Sequence, residues 1–354
     1  MFAPFRETEE KRSTSNKIMK ALILSEYKSN LSEMLKGLEV KEIETPKPKG
    51  KQVLIKIDGS PCNPSDIAFM RGMYNISKTL PKVAGFEGTG IVVDAGDAPE
   101  AQQLLRKRVS TFSQQDEDGT WAEYFLSKAS KCIVLKDEMP SEQAACFFIN
   151  PFTAYGLFEA AKKRGDKAIV QNAAAGVVGA FVRKLAEKEE IPLINIVRRP
   201  AHVELLKSQG AEFVLNLRDK EFEIQFKDLS LQLNTTIAFD AVGGEHSGQL
   251  LNNMPSNSKV LLYGGLSGQN ASNFDILGTI FHKKSFEGFN LGDWMRETKP
   301  ERFNDVSNFL QDLIINKEVE TKIQKVIKLE DAFDGLYQYV TKMSDGKVVF
   351  NPQL

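Results

Sequence analysis

The sequence predicts an α/β protein in which a doubly wound parallel sheet of six strands is joined to a β-rich domain of irregular barrel type. Three observations carry this. Between Ala168 and Phe289 short apolar runs alternate with helical stretches, and a parallel connection between strands requires such a crossover. From Met19 to about Leu135 short extended runs are instead broken by Pro46, Pro48, Gly50, Gly88 and Gly96, the punctuation of a β-rich domain. A chain of 354 residues is also longer than one ordinary domain, so two units are expected.

Taken in order, residues 1–18 read as a polar arm: the stretch lacks the apolar run of a signal peptide, and Glu7, Glu9 and Glu10 are unlike an acid-poor transit peptide, so neither is expected. The β-rich domain spans 19–149, with strands expected at Ala21–Leu24, Val53–Ile57, Gly90–Val93 and Trp121–Leu126. Ser141 to Cys146 reads as a capped helix start. The second domain, 150–291, takes its six strands from Ala168–Val170, Leu193–Val197, Phe213–Leu215, Thr236–Phe239, Val260–Tyr263 and Ser285–Phe289. A tail over 292–354 adds a helix at Arg302–Lys317, a strand at Ile323–Ile327, a helix at Leu329–Thr341 and a strand at Lys347–Phe350, and is expected to complete the first domain.

Composition removes several function classes. Lys+Arg 46 against Asp+Glu 47 gives a net charge of -1, so neither nucleic acid nor an anionic membrane is an expected partner, and no apolar run is long enough to span a bilayer. Cys62, Cys132 and Cys146 are far apart, which fits a reducing compartment and makes a cytoplasmic location the expectation. His202, His246 and His282 are too scattered to build a zinc site, and no Ser stands in a G-x-S-x-G elbow.

The chemistry-bearing motif follows the first strand of the second domain. Asn172-Ala173-Ala174-Ala175-Gly176-Val177-Val178-Gly179 aligns with the dinucleotide turn G-x-G-x-x-G, with Ala174 in the first glycine position and Gly176 and Gly179 in the others. Gly176 lets backbone N–H groups approach a pyrophosphate, Gly179 allows close packing of helix and strand, and the helix opening at Val177 and Val178 supplies positive potential. After the second strand come Arg198 and Arg199, where a carboxylate would hold a ribose diol. Two guanidinium groups suit a 2'-phosphate, so NADPH is expected over NADH, although paired arginines at a strand end are also common on plain surfaces. Val242 and Gly243, Tyr263 with Gly264 and Gly265, and Phe289, Asn290 and Leu291 lie at further strand ends, where a doubly wound sheet binds its ligand. Lys347 is a further candidate for a cofactor phosphate or ribose, with a solvated turn lysine as the alternative.

Several other segments resemble a known family, the zinc-independent medium-chain dehydrogenase/reductases, which include quinone reductases and enoyl thioester reductases. The carriers are Asn63-Pro64-Ser65-Asp66, Arg71-Gly72-Met73-Tyr74, Gly85-Phe86-Glu87-Gly88-Thr89-Gly90, Asn150-Pro151-Phe152-Thr153-Ala154-Tyr155, the Ala173 to Gly179 turn, Asp240 to Gly244, and Gly346-Lys347-Val348-Val349. The resemblance implies a GroES-like first domain, a Rossmann second domain and a homodimer paired through an edge of the cofactor sheet. It also implies no metal: the family's zinc-using members have Cys where this chain has Asn63 and His where it has Phe86, which offers no donor atom. By the same resemblance Tyr74 is the hydrogen-bond or proton donor, while Asn63 and Thr153 position substrate and nicotinamide.

The residues themselves leave alternatives. Tyr74 can be a loop aromatic that packs, Asn63 a turn residue and Thr153 a helix cap. Phe147, Phe148, Phe281, Phe289 and Trp294 can line an apolar pocket or belong to the core. The resulting expectation is an NADPH-dependent, metal-free reductase of a conjugated carbonyl compound, foremost a 2-enoyl thioester. A quinone or enal/enone reductase is the alternative within that class, and an NADPH-binding protein without turnover the alternative outside it.

Overall fold

A computed structural model describes residues 17–354. The polar arm expected over 1–18 therefore lies almost wholly outside the described residues, and Ile18 already belongs to the first strand.

The first stretch runs β1 (Ile18–Leu24), α1 (Leu31–Lys36), β2 (Leu38–Glu44), β3 (Gln52–Pro61), α2 (Pro64–Met70), β4 (Lys82–Val83), β5 (Glu87–Ala95), α3 (Pro99–Gln102), β6 (Arg108–Phe112), β7 (Tyr124–Lys128), β8 (Ile133–Val134) and α4 (Ser141–Ala145). The middle alternates: α5 (Ile149–Arg164), β9 (Ile169–Gln171), α6 (Val177–Lys188), β10 (Leu193–Val197), α7 (Pro200–Ser208), β11 (Phe213–Asn216), α8 (Phe222–Gln232), β12 (Ile237–Asp240), α9 (Glu245–Asn253), β13 (Lys259–Leu262), α10 (Ile276–Phe281) and β14 (Ser285–Gly288). The tail holds α11 (Leu291–Glu297), α12 (Pro300–Ile315), β15 (Ile323–Ile327), α13 (Ala332–Thr341) and β16 (Lys347–Phe350).

The six middle strands form one parallel sheet in the order β11-β10-β9-β12-β13-β14. The order reverses direction between β9 and β12, and the carboxyl ends of those two strands flank the crevice where such sheets bind ligands. Strand β10 is buried along its whole length, as expected of a parallel strand covered on both faces. Helix α5 covers one face and stops at Gly165, whose φ of 83° supplies the left-handed end, after the cationic last turn Lys162, Lys163 and Arg164.

The other strands build a sheet in the order β15-β16-β3-β5-β6-β8, with β7 paired to β3, and a small sheet β2-β1-β4. The tail thus returns to the first stretch of chain, because β16 lies between β15 and β3.

Four sequence expectations need correction. Ser141 is the first helical residue of α4, not its cap: Pro140 holds the cap position and no side chain caps the turn. The strand expected over Trp121–Leu126 begins at Tyr124, because Trp121 turns into the core and donates from Nε1 to the Pro61 carbonyl at 3.3 Å. The helix expected from Arg302 starts at Pro300, where the missing N–H costs nothing in the first turn. The helix expected from Leu329 opens with a tight turn, Leu329–Asp331, before α13.

Candidate active site

Helix α6 starts at Gly176, which caps it in an extended conformation (φ -80°, ψ 174°) with no side chain over the first-turn N–H groups. Val177 and Val178 form that first turn and pack their side chains on the core. Gly179 is required by packing, since a Cβ there would stand 2.5 Å from the carbonyl oxygen of Ala174. Ala174 is fully buried, and its carbonyl accepts from the Arg183 guanidinium.

The two strand ends at the crevice are bolted together. Asn172 Nδ2 donates to Asp240 Oδ1 at 2.6 Å, and Asn172 Oδ1 accepts from the Ala241 N–H at 2.8 Å. The same Asp240 oxygen accepts from the N–H groups of Val242 and Gly243 at 2.7 and 3.0 Å, while Ser247 Oγ donates to Oδ2 at 2.5 Å. Asp240 therefore shapes the Val242–Gly243 loop from beneath. Gly264 passes so close to this loop that a Cβ would lie 2.7 Å from the Ala241 carbonyl oxygen, whereas Gly265 faces open space and Tyr263 is partly buried. Phe289 seats its ring against Gly156 of α5, where a Cβ would come within 2.5 Å of it. Asn290 caps α11 by accepting the Asp293 N–H at 3.1 Å, and Leu291 is the first helical residue.

These residues fit a dinucleotide. The uncapped α6 N-terminus offers N–H groups to a diphosphate, and the backbone at Gly265 is open to a flat ligand. Arg198 and Arg199 are both exposed just beyond the carboxyl end of β10, and Arg199 donates from Nη1 to Ser344 Oγ at 2.7 Å.

Asn63, expected as a positioning group, lies at the centre of a buried polar knot. Its Oδ1 accepts from Lys347 Nζ at 2.5 Å and from Asn150 Nδ2 at 2.9 Å, and its Nδ2 donates to Glu87 Oε2 at 2.9 Å. Glu87 Oε1 accepts the N–H groups of Phe148 and Ile149, at 2.6 and 2.9 Å, and so caps the start of α5. Asp66, three residues after Asn63, accepts the Asn63 N–H at 2.8 Å through Oδ2 and the Phe86 N–H at 2.9 Å through Oδ1. Burial raises the Asp66 carboxyl to about 7 despite those bonds, pushes Glu87 upward, and lowers the Lys347 ammonium.

Lys347 is not a solvated turn residue. It is 4% exposed, and its three N–H donors are matched by Asn63 Oδ1, the Cys62 carbonyl at 3.2 Å and the Tyr339 hydroxyl at 3.3 Å. Its ammonium is therefore committed to the Asn63 knot. Thr153 is not a cap either: it lies inside α5, 8% exposed, and donates to the Ile149 carbonyl at 2.7 Å.

Tyr74 sits in the loop after α2, 37% exposed, its ring tilted over Phe86 with centroids 5.9 Å apart. Among the described residues its hydroxyl makes no protein hydrogen bond, and partial burial raises its pKa, so the phenol is protonated at neutral pH. The neighbouring Met73 reaches the cofactor sheet: its methyl lies 3.9 Å from where a Cβ on Gly268 would stand. The loop bearing Tyr74 thus approaches the loop that follows β13.

The five aromatics that the sequence left as either pocket lining or core part company. Phe147 and Phe148 are core residues, Trp294 is nearly buried, Phe289 packs on Gly156, and Phe281 is exposed on α10. Residues with evident structural roles to which the sequence reading assigned none are Asp66, Glu87, Asn150 and Lys78. Asp66 had a readable signal, its capping-box spacing from Asn63. Lys78 is buried behind Phe86, its Nζ 5.4 Å from that ring and donating to the Glu117 carbonyl at 2.8 Å; burial lowers it to about 8. Among the described residues no three Cys, His, Asp or Glu side chains converge as a metal site, and no helix is long and apolar enough to cross a membrane.

Comparison with known proteins agrees with the fold. Residues 49–137 match the family described as alcohol dehydrogenase GroES-like domain. The human mitochondrial enoyl-[acyl-carrier-protein] reductase is 30% identical over 305 residues, covering 84% of this chain and 80% of that one. The crystal structure of a putative NADPH:quinone reductase from Mesorhizobium loti superposes with a TM-score of 0.88 at 34% identity, over 96% of this chain and 100% of that one. The Etr1p/Etr2p heterodimer of Candida tropicalis, a mitochondrial 2-enoyl thioester reductase, shares the fold with a TM-score of 0.79 at 22% identity, over 95% of this chain and 100% of that one.

Proposed function

Because the chain belongs to the medium-chain dehydrogenase/reductase superfamily and is similar to its zinc-independent quinone and enoyl thioester reductases, we propose that it reduces the conjugated double bond of a 2-enoyl thioester with NADPH. The observation that carries the choice of acceptor is Tyr74. Its hydroxyl is protonated, unclaimed among the described residues and set on a loop that reaches toward the loop after β13.

NADPH, when bound, supplies the hydride. The diphosphate would be held by the first-turn N–H groups of Val177, Val178 and Gly179, with Gly176, whose own N–H donates to the Ala173 carbonyl at 2.9 Å, letting the backbone come close; the 2'-phosphate would be held by Arg198 and Arg199, and the ring side by the loops at Val242–Gly243, Tyr263–Gly265 and Phe289–Leu291. Hydride addition at the β carbon of an unsaturated thioester moves an electron pair onto the carbonyl oxygen. Tyr74 donates a hydrogen bond to that oxygen and delivers its proton to the α carbon, then regains one from water. General acid assistance of this kind is worth on the order of 10²–10⁴-fold. Asn63, held through both amide atoms by Glu87, Asn150 and Lys347, acts as a positioning residue, and Thr153 does the same from within α5.

A second reading, reduction of a quinone, is favoured by the 34% identity to the Mesorhizobium loti protein. It needs no proton delivered to carbon. Steady-state kinetics with trans-2-enoyl-CoA and a simple quinone distinguish the two: the enoyl thioester turns over faster, and Tyr74→Phe slows it by about 10²-fold or more with folding unchanged. Equal turnover of both acceptors and an unaffected Tyr74→Phe would assign the quinone.

The chain is further proposed to form a homodimer through β14. That strand pairs only with β13 among the described residues, and beside it α10 exposes Ile276, Leu277, Ile280 and Phe281. Cys62, Cys132 and Cys146 are all unpaired, which supports a reducing compartment.

A further inference from the structure

The sheet side and the tail meet just beyond the carboxyl end of β10, where Arg199 Nη1 donates to Ser344 Oγ at 2.7 Å. Arg199 comes from the sheet side, at the cap of α7, and Ser344 from the turn between α13 and β16. That turn is firmly placed. Gly346 takes a φ of 128°, a Cβ on it would lie 2.6 Å from the Lys322 carbonyl oxygen, and the Lys347 N–H donates to that same oxygen at 2.8 Å. Burial lowers the His202 pKa, and the neighbouring charges of Arg199, Lys322 and Arg198 lower it further against an opposing Asp345. Charges from both sides therefore lie near His202, whose backbone N–H donates to the Arg199 carbonyl at 2.9 Å.

A serine hydroxyl that accepts from a guanidinium still has its own hydrogen to give. Any anion gripped by Arg199 comes within reach of that hydrogen, and an O–H bond to a charged phosphate oxygen is stronger than one to a neutral ribose hydroxyl. We propose that Ser344 is a specificity-determining residue that donates to the 2'-phosphate of the cofactor from the tail, opposite Arg198 and Arg199. This rests on the reading that those two arginines hold that phosphate.

The test is isothermal titration of the full chain and of Ser344→Ala, Ser344→Thr and Arg199→Ala with NADP+, NAD+, adenosine 2',5'-bisphosphate and AMP. Ser344→Ala is expected to weaken NADP+ and the bisphosphate about tenfold while leaving NAD+ and AMP within twofold, and Ser344→Thr, which keeps the hydroxyl, to restore binding. Ser344 is only partly buried, so the folding midpoint should not move. If Arg199→Ala discriminates between NADP+ and NAD+ but Ser344→Ala does not, the role of Ser344 is overturned and the arginine seat stands. If neither discriminates, the seat itself is misplaced and the proposal falls with it.

Discussion

The ammonium of Lys347 stands 2.5 Å from the amide oxygen of Asn63, although 284 positions separate the two residues. The contact joins the tail to the first turn of α2 and, through Glu87 and Asn150, to the start of α5. Two carboxyl groups share the knot with this single cation, so its removal leaves buried negative charge without compensation. Lys347→Met is expected to destabilise the protein by about 3 kcal/mol, and Glu87→Gln in the same chain to recover part of the loss. Urea unfolding of the single and double variants measures both; a neutral Lys347→Met would mean that the cation does not hold the knot together.

Asp66 gives the knot a pH dependence of defined sign. Its folded-state value of about 7 lies above that of an unfolded carboxyl, so the protonated form is favoured by folding. The stabilisation is complete below the unfolded value and is lost as pH rises through the folded one. Between pH 5 and pH 8 the native chain should lose on the order of 2 kcal/mol relative to Asp66→Asn, which cannot titrate. Parallel urea curves at the two pH values provide the measurement, and an unchanged gap between the proteins would contradict it.

Gly179 and Gly265 make a matched pair of glycine substitutions. A methyl at Gly179 meets the Ala174 backbone at 2.5 Å, while one at Gly265 meets nothing within 4 Å. Gly179→Ala should cost about 1–3 kcal/mol and abolish measurable dinucleotide binding, whereas Gly265→Ala should leave stability intact. Thermal unfolding with and without NADP+ reads both effects.

The proposed dimer has a direct probe in α10. Phe281→Glu combined with Ile280→Glu places two charges on a face that is now apolar and open. Light scattering should show the native chain at twice its monomer mass and the variant as a monomer, each with the same far-ultraviolet dichroism. Equal masses would place any association elsewhere.

Much of the cofactor sheet was legible because its strands are covered on both faces and so read as unbroken apolar runs, as β10 does from Leu193 to Val197. The tail strands β15 and β16 were also readable at their observed limits. Strand β2 was not: Leu38–Glu44 alternates apolar residues with glutamates and a lysine at the edge of a small sheet, a pattern easily taken for loop. The glycine turn carried its own signal. The Asn63 knot could not, because nothing local to Lys347 marks it as buried; only the insertion of β16 between β15 and β3 brings it to Asn63. Likewise Ser344 is an unremarked turn residue until Arg199 is seen to reach it from the sheet side.

The placement of β16 bears on how the molecule is made. The parallel sheet is drawn from one uninterrupted stretch, Ile169–Gly288, and can assemble while translation continues. The barrel side cannot, since an interior rib of it, Lys347–Phe350, leaves the ribosome after every other strand. Until those four residues arrive, the nascent chain holds a finished nucleotide scaffold beside a half-open barrel, with Asp66 and Glu87 lacking their internal cation. The Asn63–Lys347 contact is therefore completed only when the final strand docks between β15 and β3.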